Sequence, residues 1–159
     1  MLKKNKGEFM GKSKEYITWD QYFMGVAKLS ALRSKDPNTK VGACIVNEKK
    51  RIVGIGYNGL PYGCSDDEFP WEREGEFLET KYPYVVHAEQ NAVIQAAYFG
   101  ASVKDASIYI TNFPCVLCAK ILINAGIKEV VYLDDYVDTL SREILEESNV
   151  IVRRYVENK

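Results

Sequence analysis

The chain has 159 residues, 47% hydrophobic and 27% charged, a length and balance that suit one globular domain and exclude disordered, collagen-like and disulfide-framework proteins. Lys and Arg total 21 against 22 Asp and Glu, so the net charge of -1 offers no global positive field to a nucleic acid polymer, although a local basic pocket can still hold one phosphate group. No apolar run approaches the roughly 20 residues of a membrane span, and no signal-peptide core follows Lys3, Lys4 and Lys6, so the expected setting is the cytoplasm, away from membranes.

Residues 1–15 are polar and Lys-rich and read as a flexible arm; residues 16–159 read as the folded domain. From Thr18, an N-cap residue, Trp19, Tyr22, Phe23, Val26, Ala27, Leu29 and Leu32 recur at helical spacing. Asp36-Pro37-Asn38 signals a turn, after which residues 41–46 and 52–57 read as strands. Their short polar connection implies an antiparallel hairpin. Residues 58–84 form a long Gly- and Pro-punctuated segment, and loops of that length in a compact domain usually serve a function. Beyond it, helices over about 87–99, 115–125 and 138–147 alternate with strands at 107–111, 129–133 and 150–154, and Gly100 and Gly126 stand where helix C-caps belong. That alternation requires parallel strands joined by crossover helices. The expected fold is a three-layer α/β/α domain on a mixed five-stranded sheet.

Two segments carry the chemistry: His87-Ala88-Glu89 and Pro114-Cys115-Val116-Leu117-Cys118. Cys115 and Cys118, three apart at a helix start, point their sulfurs to one side, and His87 falls where an extended run meets a helix. His87 is the only histidine, so no site can draw two imidazoles from this chain. Three ligands on Zn²⁺ leave a fourth position open, the catalytic pattern, and Glu89 supplies a base. In a regular helix a residue two positions from His87 turns away from the metal, so Glu89 reaches the site only if His87 lies in an irregular first turn. A Cys-x-x-Cys pair alone could equally be a redox couple or buried thiols, but the redox reading leaves His87 and Glu89 without a role. Cys44 and Cys64 complete the four cysteines, which are expected to be reduced.

An H-x-E and P-C-x-x-C pair is the signature of zinc deaminases. On it, and on the stretches Leu32–Asn38, Val41–Asn47, Ile52–Asp67, Thr80–Glu89 and Phe113–Tyr132, the chain resembles the cytidine deaminase superfamily, and within it most nearly the deoxycytidylate deaminases. Riboflavin-pathway and tRNA adenosine deaminases share the metal motif but lack the GYNGLPYGCSDD stretch. The resemblance implies hydrolysis of dCMP to dUMP and ammonia. Water activated at zinc held by His87, Cys115 and Cys118 attacks C4, while Glu89 moves a proton to N3 and then serves the departing amine.

It further implies that Asn58 grips the sugar hydroxyl, that Ala88 and Pro114 shape the base pocket, and that Arg33 holds the phosphate with Tyr136 closing over it. A solvated helix-end charge and an ordinary surface tyrosine are the plain alternatives for the last two. Such enzymes are commonly hexamers, activated by dCTP and inhibited by dTTP bound with Mg²⁺ near Gly59 and Pro61. Asp66 and Asp67 are candidates to assist the magnesium, or simply cap and solvate their loop. Some phage members carry a second, structural zinc on extra histidines, which a chain with His87 alone cannot build. Whether dCTP is also a substrate, a catalytically silent sensor on this scaffold, and a tRNA-editing enzyme are the remaining alternatives; the intact metal and acid/base set speaks against the second, and the net acidity against the third.

Overall fold

A computed structural model describes residues 10–136 and 138–157. Residues 1–9 of the expected arm lie outside this range, and residues 10–18 carry no helix or strand. Thr18 opens α1 (Trp19–Ala31) with a reciprocal cap: its Oγ1 accepts the Gln21 N–H at 3.2 Å, and Gln21 Oε1 accepts the Thr18 N–H at 2.8 Å. β1 (Gly42–Val46) and β2 (Ile52–Tyr57) then form the antiparallel hairpin. After α2 (Ala88–Tyr98) come β3 (Ser107–Asn112), α3 (Val116–Asn124), β4 (Glu129–Asp134), α4 (Thr139–Glu147) and β5 (Ile151–Arg154). Gly100 and Gly126 end α2 and α3 with φ of 70° and 83°, backbone that costs glycine little.

The sheet order is β2-β1-β3-β4-β5, with β1 antiparallel to both neighbours and β3, β4 and β5 mutually parallel. Strand residues alternate between two faces, which divides the core. Ala43, Ile45, Ile108, Ile110, Val130 and Tyr132 pack under α2, α3 and α4, whereas Cys44, Val46, Tyr109 and Val131 pack under α1 with Phe23, Met24 and Ala27. The domain is therefore three-layered, with a mixed five-stranded sheet between one helix and three.

The apolar spacing of α1 does not all reach the core: Phe23, Met24, Ala27 and Ala31 are buried, but Trp19, Tyr22, Leu29 and Leu32 stay exposed. A lone helix on a sheet buries one stripe only. Missing Cβ atoms set how closely the helices approach. A Cβ on Gly42 would stand 1.9 Å from the Ala27 carbonyl oxygen, and one on Gly56 would stand 2.1 Å from that of Ala88. Gly56 thus lets the first turn of α2 sit directly on β2, with the small, fully buried Ala88 and Ala92 facing the strand.

The segment between β2 and α2 contains a short 3-10 turn, Phe77–Glu79, that the sequence pattern does not announce. Its two ends meet where Gly59 and Val86 exchange backbone hydrogen bonds of 3.1 and 2.8 Å. That closure brings His87 beside Asn58. Among the described residues no helix is long and apolar enough to cross a membrane.

Candidate metal centre and active-site pocket

His87 is the N-cap of α2, with extended backbone (φ -72°, ψ 157°), and its N–H donates to Gln90 Oε1 at 2.9 Å. Cys115 is likewise the N-cap of α3 (φ -71°, ψ 167°), and Cys118 lies in that helix's first turn. The two helix starts converge. His87 Nδ1 stands 3.5 Å from Cys115 Sγ and 3.3 Å from Cys118 Sγ, and one ligand atom from each residue lies within 4.8 Å of the others. Zinc bonds of about 2.3 Å to sulfur and about 2.05 Å to nitrogen, opened to a tetrahedral angle, put such atoms roughly 3.6 Å apart. The three side chains fit one zinc ion.

Their proton chemistry agrees. A hydrogen bond from the Cys118 thiol, assisted by the His87 ring, overcomes burial and pushes Cys115 down to about 4. Cys118 is pushed up by the same bond, which leaves it holding the shared proton, and by burial. A cation takes the place of such a proton when thiols ligate a metal. None of the four cysteines is in a disulfide. Cys44 is no candidate ligand, because it is fully buried under α1 on the opposite face of the sheet and burial pushes its thiol up to about 12.

Because His87 is an N-cap rather than a helical residue, Glu89 is the second residue of α2 and comes close enough to interact with the Cys118 thiol. Glu89 is 5% exposed, and burial raises its carboxyl to about 7, against the opposing pull of its own N–H and of His87. A carboxyl poised near neutrality can both take and return a proton.

His87, Cys115 and Glu89, with Cys118 buried out of reach of its surface, line a cleft of 260 Å³, small beside the roughly 300–1,000 Å³ typical of ligand pockets. His87, Ala88, Glu89 and Cys115 form one part of its wall; Asn58, Thr39, Asn112, Phe113 and Tyr136 form more, with Tyr136 itself 56% exposed. Pro114 is fully buried just behind the wall. Asn58 lines the cleft with its amide already engaged: Oδ1 accepts from Val41 N at 2.8 Å, and Nδ2 donates to the Thr39 carbonyl at 2.8 Å and to Asp36 Oδ2 at 3.3 Å. What it offers a ligand is the second lone pair of Oδ1.

Arg33 is elsewhere. It is exposed and lines a second cleft with Lys35, Tyr57, Gly59, Pro61, Asp66 and Trp71. Asp66 is ion-paired with Lys35 there, and Asp67 is exposed outside that lining. The cations that line the cleft with His87 and Cys115 are Arg73 and Lys81, which sequence reasoning did not single out. Lys81 is 7% exposed and bonded to the fully buried Asp36, which also accepts the N–H groups of Asn38 at 2.8 Å and Thr39 at 3.1 Å. Burial pushes Asp36 up, but Lys81 and those two N–H groups outweigh it and hold the carboxyl below its usual range. The available signal was the period-two alternation Arg33-Ser34-Lys35-Asp36, in which Ser34 and Asp36 point inward and the two cations outward.

A layered α/β domain with a His/Cys/Cys ligand set and a buried glutamate at its edge defines a zinc-binding enzyme of the deaminase type. Residues 17–134 match the family described as the cytidine and deoxycytidylate deaminase zinc-binding region, and the chain belongs to this family of hydrolytic deaminases. It is 52% identical to deoxycytidylate deaminase of Homo sapiens over 151 residues, covering 91% of this chain and 84% of that one. To the Mus musculus deoxycytidylate deaminase it is 58% identical over 125 residues, covering 78% and 69%. The crystal structure of dCMP deaminase from the cyanophage S-TIM5 in complex with dCMP and dUMP superposes with a TM-score of 0.73 at 31% identity, covering 85% of this chain and 95% of that one.

Proposed function

We propose that this enzyme hydrolyses dCMP to dUMP and ammonia, in the supply of precursors for dTMP. The observation that carries the reading is a single cleft lined by the ligand residues His87 and Cys115, by Glu89 and by the Arg73 cation, in a chain about half identical to deoxycytidylate deaminases. Zinc, when bound, supplies the Lewis acidity that makes a water a nucleophile at neutral pH. Glu89 takes the water's proton on its carboxylate, delivers it to N3 of the cytosine ring so that C4 becomes electrophilic, and protonates the departing amine. Asn58 accepts from a sugar hydroxyl through Oδ1; Ala88 and Phe113 wall the base, and Tyr136 covers the opening.

The substrate's phosphate is assigned to Arg73. Lys81 is committed to Asp36, whereas among the described residues the Arg73 guanidinium meets only the Tyr82 hydroxyl, at 3.5 Å, and keeps its donors for an anion. Arg73→Ala is expected to raise KM for dCMP roughly 10–100-fold, with a smaller change in kcat, and to leave kcat/KM for deoxycytidine, which has no phosphate, near the parent value. An unchanged KM for dCMP removes Arg73 from this role.

Arg33, Lys35 and Asp66 are assigned to the second cleft, as the site of a regulatory dCTP or dTTP with Mg²⁺. Its support is geometric: residues 33–36 and 57–59 alternate between the clefts, with Arg33, Lys35, Tyr57 and Gly59 on one and Asp36 and Asn58 on the other. A ligand on one side therefore bears on the same backbone that positions the other. Exposed Ile94, Tyr98, Phe99 and Leu117 on and after α2 and α3 support assembly as a homo-oligomer, here a hexamer. Four unpaired thiols support a cytoplasmic setting.

Ammonia release from dCMP, dCTP and cytidine, each with and without dCTP or dTTP plus Mg²⁺, tests the reading. Turnover of dCMP, raised by dCTP and lowered by dTTP, is expected. Turnover of cytidine alone would overturn the nucleotide assignment, and turnover of dCTP would extend it to a dual enzyme.

A further inference from the structure

Helix α3 opens without a cap of its own, because its N-cap residue, Cys115, turns its sulfur toward His87. A helix leaves its first N–H groups without internal partners, so α3 must find acceptors elsewhere. It finds one at the start of α4. Asp138 Oδ2 accepts the Val116 N–H at 2.9 Å, while Oδ1 of the same carboxylate accepts the Ser141 N–H at 2.9 Å as the N-cap of α4. Ser141, fully buried, donates its hydroxyl to the Pro114 carbonyl at 2.7 Å. The residues immediately before and after Cys115 are thus both held from α4.

We infer that Asp138, together with Ser141, is a positioning residue of the zinc site: the pair clamps the backbone on both sides of Cys115 and so holds its sulfur in register with His87 and Cys118. The role requires a carboxylate, since one side chain must present two acceptors in different directions. An asparagine has a single acceptor oxygen, and a serine hydroxyl at this position can cap α4 but is too short to reach α3 as well. Neighbours that orient metal ligands in this way typically change metal affinity about 10–100-fold when removed.

The test compares the zinc-loaded parent, Asp138→Ala and Asp138→Ser, following zinc transfer to an excess of a chromogenic chelator and the hydrogen-exchange protection of the α4 amides. No substrate is involved, so the result is independent of which nucleotide the enzyme takes. Asp138→Ser restores a good N-cap to α4, and is expected to keep that helix protected while releasing zinc about 10–100-fold faster than the parent. Asp138→Ala is expected to lose both. Zinc release from Asp138→Ser at the parent's rate overturns the inference. So does fast release accompanied by loss of α4 protection as complete as in Asp138→Ala, since that would mark a general loosening of the helix. Should Asp138→Ala not fold, Asp138→Ser against the parent decides the matter on the same two readings.

Discussion

Glu89→Gln is expected to retain a full equivalent of zinc and to lose turnover by roughly 10²–10⁴-fold or more. The amide has the shape of the carboxyl but can neither take a proton nor return one. Glu89 lies outside the His87/Cys115/Cys118 ligand set, so the substitution leaves the metal's donors in place. Stability should hold as well, because replacing a carboxyl that burial already raises to about 7 with a neutral group removes a potential charge from a buried position. Zinc content by atomic absorption, read alongside the rate of ammonia release from dCMP, separates the two effects. A folded, zinc-replete Glu89→Gln protein with substantial turnover would take Glu89 out of the proton-transfer role.

Lys81→Met is expected to be the most destabilising single change near the cleft. It keeps most of the side chain's volume but leaves the Asp36 carboxylate buried without its ammonium, and breaking a buried pair in this way costs about 3–5 kcal/mol. The urea midpoint reads the loss. Asp36 also fixes Asn58 and the turn at Asn38 and Thr39, so kcat/KM should fall with stability. The pH dependence follows from the depressed Asp36 carboxyl. Around and below the ordinary carboxyl value of ~3.9 the unfolded chain binds a proton that the folded chain resists, so the stabilisation is complete above that value and disappears as pH falls through the folded one. The gap between parent and Lys81→Met should therefore be widest near neutrality and shrink in acid. A gap that stays constant, or a midpoint unchanged at pH 7, would show that the pair contributes nothing net.

The metal site was legible in the amino-acid order because its geometry is local. His87 must precede α2 and the Cys-x-x-Cys pair must open α3, and junction signals such as Pro114 and the extended run before His87 mark both places. Strand and helix alternation likewise determined the layers and the parallel half of the sheet, since a strand followed by a helix and another strand has almost one way to pack. Which residues share a cleft was a different matter. Sequence reasoning placed the phosphate on Arg33 and singled out neither Arg73 nor Lys81. Only the folding of residues 58–84 against 33–41 turns Arg33 outward, seats Lys81 on Asp36 and leaves Arg73 at the mouth. Asp138 is 20 or more positions from either cysteine, so its grip on α3 exists only once α4 has docked. Local chemistry travels with the chain order; the partners of a side chain across the domain depend on contacts that no spacing encodes.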